Sequence, residues 1–450
     1  MKANRAFLLP LIAAVLAAVA YVLPAPSEDQ RPPSRVAVTQ ASYACPADKT
    51  LTVAAGQVRR GTSSTATVLP GKNKDSALAD ASVWRTTVVD GQAVVVDQQG
   101  RRSGAGGYFA GVMSKADGSG LVVGSCSGVI DDAWMLGLGS GGKHFSTVTL
   151  TNLANSPAVV DLDLWGPDGK IDAVDSKGIV VKPLTTRRVR LDALAAGETE
   201  LALQVHRRRG SVSAVVEDTS TSIFRGSEPV TATESPRRDQ VVGGLVDNAS
   251  GRTLELLNPG SATARVDVSV LGPKNQFKPS GLSNIKVKAG SLKLVTIPSS
   301  AGSDRLALHV TSDLPVAATV RMAPSNTDYA YAEAVPPLAG PALVPVALGP
   351  SAAAPDLILS APKKDASAEV QALDAQMRPV GSKTVAIGGG TTQHLDSAKE
   401  FKGKPVAYLV VRAKGDVIGA ATYAKGGGIS SLALVAAPVT VLGPQVRPLG

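Results

Sequence analysis

Apolar and polar residues alternate along most of this chain with a period of two. At Val148, Leu150 and Asn152 the even positions form one face, and the period returns at Val160, Leu162 and Leu164 with Asp161 and Asp163 opposite, as a half-buried strand requires. Turn residues punctuate the runs. In Gly166-Pro167-Asp168-Gly169 the proline presets φ and the glycine accepts positive φ. Later runs fall at 178–183, 189–194, 201–206 and 211–217, the last two reading as the arms of a hairpin. With no helix long enough for a crossover between parallel strands, the pattern predicts six or seven strands in about 105 residues, the arithmetic of a sandwich.

The pattern then repeats. Residues 152–167 read NLANSPAVVDLDLWGP and residues 258–273 read NPGSATARVDVSVLGP, a gapless offset of 106 residues, and a fainter copy, SAPKKDASAEVQALDA, occupies 360–375. Hairpin arms recur at 306–311 with 315–321 and at 407–412 with 416–423. A fixed period of this kind marks a tandem array of one structural unit. The expectation is an all-β protein of tandem immunoglobulin-like β-sandwich repeats over 131–236, 237–340 and 341–450. Residues 43–130 read as a degenerate N-terminal β domain, because 108–113 and 121–126 echo the terminal hairpin around Asp117-Gly118. Pro- and Gly-bearing stretches at 227–238 and 335–350 read as linkers, and 432–448 as a closing strand on the last domain.

Composition agrees with this reading and narrows the function. The 450 residues include 45 Gly and 30 Pro, suited to many short strands and turns, while aromatics make up only 4%. Cores must therefore be built from Val, Leu, Ile and Ala, and a base-stacking nucleic-acid surface is not expected. Residues 1–25 form a targeting segment: Lys2 and Arg5 precede an apolar run at 7–23, and Ala18-Val19-Ala20 offers a small-x-small cleavage pattern. The segment reads either as a cleaved signal peptide or as an uncleaved N-terminal membrane anchor, which would then be the membrane contact. Residues 26–42 read as a flexible or extended linker. Export follows on either reading.

The formal net charge is +9. Its basic pairs are scattered, and the one triplet, Arg207, Arg208 and Arg209, sits at a hairpin tip. That triplet is the candidate contact for anionic envelope polymers or lipid head groups. The two cysteines, Cys45 and Cys126, fit one disulfide in an oxidising compartment.

No motif supplies a reaction. Residues 137–144, GLGSGGKH, fall short of a phosphate-binding loop because His144 stands where a magnesium-binding hydroxyl is needed and no helix follows. Asp161, Asp163, Asp168, Asp172 and Asp175 lie on strand and turn faces rather than on one calcium loop. His144, His206, His309 and His394 have no zinc spacing, no G-x-S-x-G elbow occurs, and Trp134 and Trp165 read as packing residues. No catalytic, metal or cofactor-binding residue is assigned.

The apolar start, Cys45-Pro46, the SCS stretch at 125–127, Asp132-Ala133-Trp134, the Gly-rich loop and LTNLANSPAVVDLDLWGPDGK at 150–170 together resemble an actinobacterial family of exported proteins classed as a domain of unknown function. The resemblance implies an envelope location and no assigned activity. The expected function is a non-catalytic exported cell-envelope protein with a structural, adhesive or scaffolding role, whose partners are anionic envelope polymers or envelope proteins and not nucleic acid. The rival is a cell-wall or glycan-processing hydrolase or accessory factor with a site between domains.

Overall fold

The computed structural model describes residues 35–37, 40–47, 51–57, 63–69, 76–77, 83–89, 92–99, 105–113, 120–222, 225–247, 251–323, 328–346, 354–436 and 440–442. The targeting segment at 1–25 lies outside them. Strand dominates, and the one α-helix among the described residues is the four-residue Ser397–Glu400. Arg35–Ala37, within the stretch read as linker, pairs antiparallel with Thr440–Leu442 as a separate two-stranded unit. Of the tail read as closing the last domain, 440–442 pair with 35–37, while 432–433 end that domain's last strand.

Residues 38–439 form the other unit, built of four modules with one strand order. In the second module the strands are Asp132–Leu138, His144–Asn152, Ala158–Gly166, the short Gly169–Ile171 and Ile179–Val181 together, Thr186–Arg190, Leu201–Arg209, Val212–Thr221 and Arg225–Val230. Counting the short pair as the fourth, one sheet runs first-sixth-third-fourth and the other fifth-second-seventh-eighth. The strands of 40–128, 237–333 and 342–433 pair in the same two orders, the first module adding Ser127–Gly128 beside its first strand. The second-fifth and third-sixth neighbours are those of an immunoglobulin sandwich, while the first and seventh strands stand on opposite sheets from their usual places.

That exchange corrects the hairpin reading in the three repeats, while the N-terminal pair at 108–113 and 121–126 is a hairpin as read. The sixth and seventh strands lie in opposite sheets, so the segment between them is an arch, and the true hairpin joins the seventh to the eighth. Alternation alone cannot tell the two apart, since both give apolar faces on consecutive arms. In the third module the chain passes the arch as one continuous strand, Leu306–Ala323, whose first part pairs with Ala264–Leu271 and whose second pairs with Gly251–Asn258. The stretches read as linkers at 227–238 and 335–350 carry strands as well, Arg225–Val230 and Ala342–Pro345.

The 106-residue offset survives down to single hydrogen bonds. Buried Asn152 donates to the carbonyls of Ser156 and Val181 at 2.8 and 3.0 Å and accepts from Ala154 N at 2.9 Å. Asn258 donates to Ala262 and Val287 at 2.8 and 3.1 Å and accepts from Gly260 N at 3.0 Å. Each amide ties the turn after the second strand to the strand at 179–181 or 285–287. Replacing either by Ala strands buried backbone groups and is expected to lower stability by about 1–3 kcal/mol, with the two losses similar in urea unfolding; a large loss at one site and none at the other would contradict their equivalence.

The four modules close on one another. The eighth strands, Gly120–Ser125, Arg225–Val230, Ala330–Glu333 and Gly428–Ala433, converge at a common axis. Tyr329 and Tyr331 of the third module enter the core of the second, Ile429 of the fourth enters that of the third, and Leu121 and Val123 of the first enter that of the fourth. Contacts between the first and second modules complete the circuit, with Val215 joining the core around Cys45, Val94 and Phe109.

Candidate functional site

At the axis three aligned positions are glycine, Gly120, Gly226 and Gly428, and the fourth is Asp328. The glycines make room for the carboxylate. A Cβ on Gly120 would meet it at 2.6 Å and one on Gly226 at 2.3 Å, and Gly226 moreover has φ +151°. Asp328 Oδ2 accepts from Leu121 N at 3.0 Å and Ile429 N at 2.7 Å, and Oδ1 accepts from Tyr329 N at 3.0 Å. A second buried carboxylate, Glu228, accepts from Ser430 Oγ at 2.8 Å and Ser431 N at 3.2 Å, while Val123 N donates to Ser430 Oγ at 3.0 Å. The first contact set joins the third module to the first and fourth, and the second joins the second module to the fourth. Both diagonals of the ring are bridged.

Burial sets the charge state here. It pushes Asp328 up to about 7, against its three N–H donors. Glu228 is raised well above the usual carboxylate range by burial and by the charge of Asp328, against the hydrogen bonds from Ser430 and Ser431. Glu333, whose carboxylate accepts from Thr231 N at 3.3 Å, is raised by burial to about 7.

A second polar network lies between the second and third modules around fully buried Asp218. It accepts from Ser146 Oγ at 2.5 Å and from the Tyr329 hydroxyl at 2.8 Å, with the Tyr331 hydroxyl 3.0 Å away. His144 Nε2 lies 3.0 Å from the same carboxylate, and its Nδ1 lies 2.8 Å from the Thr199 carbonyl. Burial would lower the His144 pKa, but the Asp218 charge and hydrogen bond hold it at about 9, so the pair is ionic. The residue types are those of a Ser-His-Asp triad with the wrong wiring: the aspartate sits between serine and histidine, and the histidine does not face the hydroxyl. Nearby, Arg321 forks onto Glu200 with two 3.0 Å bonds and lies 3.4 Å from fully buried Glu255, which burial raises despite that guanidinium. These groups cement an interface.

The residues singled out from the sequence fall as follows. Cys45 and Cys126 are bonded, and Gly107 leaves the space they need, since a Cβ there would lie 2.3 Å from Cys126 Sγ. Of the arginine triplet, Arg207 reaches Asp131 and donates to the Ile130 and Gly210 carbonyls at 2.7 and 3.1 Å, and Arg208 pairs with Asp161 at 2.5 Å. Arg209 is exposed, with no ion pair among the described residues. The tip is thus less basic than its sequence. Asp161 also accepts from Gly178 N at 2.7 Å, and Asp163 binds Lys170 and Lys177 at 2.6 and 2.7 Å. Trp134 and Trp165, with centroids 5.4 Å apart, pack on Leu257, Leu292 and Ala317 of the third module.

Sequence reasoning missed Asp218, Glu228 and Asp328. Each sits in a polar stretch, EDTST at 217–221, GSEP at 226–229 and SNTD at 325–328, of the kind that reads as turn or solvated surface. Among the described residues no group of His, Cys, Asp or Glu is arranged to hold a metal ion, and no helix is long and apolar enough to cross a membrane. A cleft of about 540 Å³ between the third and fourth modules is lined by Asp247, Arg305, Asp356 and Asp396. Arg305 ties down two of these carboxylates, Asp247 at 2.7 Å and Asp356, while Asp396 caps the short helix through Lys399 N at 3.0 Å.

The model of a family of unknown function (DUF5719) matches residues 77–398, from the fourth strand of the first module into the fourth module. No curated protein and no solved structure matches the chain.

Proposed function

The chain belongs to that family of unknown function, and we propose that it is a non-catalytic exported protein of an actinobacterial cell envelope, acting outside the membrane as a rigid scaffold or adhesive platform. The observation that carries this reading is the closure of four sandwiches onto Asp328 and Glu228, which makes one stiff body of modules that in an open array would flex against each other. The disulfide agrees with an oxidising compartment. Groups of catalytic type, Ser146 and His144, are both engaged by Asp218 in a buried network within the second module.

The excess of basic residues supports contact with anionic wall polymer or lipid. Binding of the protein to such a polymer should weaken steadily as salt rises from about 0.05 to 0.5 M, because the Debye length shrinks severalfold. Arg209→Ser should lower low-salt affinity by up to about fivefold. Replacing Arg207 instead should also lower stability, since its guanidinium holds two backbone carbonyls. Salt-insensitive binding, or none at low salt, would remove polymer contact from the reading.

One observation favours the rival, a glycan-processing site: the three aspartates in the cleft between the third and fourth modules. Turnover of wall glycan by the protein, lost in Asp356→Asn, would establish it, and no turnover would leave the scaffold.

A further inference from the structure

The seam between the first and fourth modules is where the ring closes, and two carboxylates hold it. Asp328 Oδ2 grips Leu121 N of the first module and Ile429 N of the fourth, and Glu228 holds Ser430, whose hydroxyl receives Val123 N. We propose that Asp328 and Glu228 form a proton-dependent latch, closed while the pair carries a proton and loosened when both are ionised.

Among the described residues, what acts on the pair besides its hydrogen bonds is burial and other carboxylates. The first module's axial strand, Gly120–Ser125, has no ionisable side chain, and the fourth module's strand offers Ser430 and Ser431. The third contributes Glu333, another buried carboxylate. From the second module, Glu217 accepts from Ser227 at 3.1 Å, and Asp218 is held by His144. Arg225 and Lys425 are exposed at strand ends. Two ionised carboxylates in this dry centre would repel across the seam they join. Both groups have folded pKa values raised above their free values. The latch therefore stabilises fully below the free carboxylate range near pH 4 and is lost as pH rises through about 7.

The test is hydrogen exchange of the Leu121 and Ile429 amides, expressed as protection factors at pH 5.5 and 8.0 on the whole protein. Protection is expected to fall by about tenfold or more over this range in the wild type, and by a clearly smaller factor in Glu228→Gln, which keeps an acceptor for Ser430 but cannot ionise and leaves Asp328 alone to titrate. No fall in the wild type, or an equal fall in Glu228→Gln, overturns the latch. Should that variant not fold, Asp328→Gly, which gives the third module the axial glycine of the other three, is expected to show low protection at both pH values. Wild-type protection in it at pH 5.5 would be equally fatal.

Discussion

Asp218→Ala is expected to lower the unfolding free energy by about 3–5 kcal/mol, the usual loss when one partner of a buried ion pair is removed. The carboxylate is fully buried and serves His144, Ser146, Tyr329 and Tyr331, so its loss leaves a buried imidazolium and unpaired hydroxyls. The tyrosines come from the third module, and the damage should therefore spread beyond the second. The pH profile carries the same signature. Because the folded pKa of His144, about 9, lies above its free value of 6.5, the pair stabilises fully below about pH 6.5 and is lost as pH rises through about 9. Urea midpoints taken from pH 6 to 10 should fall for the wild type and stay flatter for Asp218→Ala. A variant as stable as the wild type would show that the network holds nothing together.

Reduction of the Cys45–Cys126 bond is the second large effect. The bond spans 81 residues, and on the chain-entropy model such a loop contributes about 4–5 kcal/mol by limiting the unfolded chain. A freely jointed array would confine the loss to the first module. Here Leu121 and Val123 of that module form part of the fourth module's core, so loosening the first should deprotect the fourth. Hydrogen exchange with and without reductant should show loss of protection in 342–433 as well as in 40–128. Deprotection of the first module alone would argue that the closure contributes little energy.

Much of the sandwich was legible because its cause is local. The two-residue period at Val160, Leu162 and Leu164 marks a strand with one buried face, and all three are buried. The match of Asn152 to Asn258 was visible because no insertion separates the two copies. What alternation cannot give is which sheet a strand joins, hence the arch mistaken for a hairpin. The stretch 227–238 read as linker because it holds Pro229, yet Arg225–Val230 as a sheet edge tolerates a proline. The arginine triplet looked free because Asp131, just before the module's first strand, and Asp161, on its third, approach only in the fold. The axis was least legible of all, since Asp328 finds its donors at Leu121 and Ile429, separations at which sequence spacing carries no geometry.

The convergence of the four eighth strands has a consequence for ancestry. A solenoid grows by duplicating a unit, because each copy touches only its neighbours and the ends stay open. This chain has no open end to extend: a fifth copy would part Leu121 and Val123 from the core they complete, and a three-copy form would leave Asp328 without one of its donors. The number four is therefore fixed by closure, and the single aspartate among three glycines marks the one copy whose carboxylate serves its neighbours.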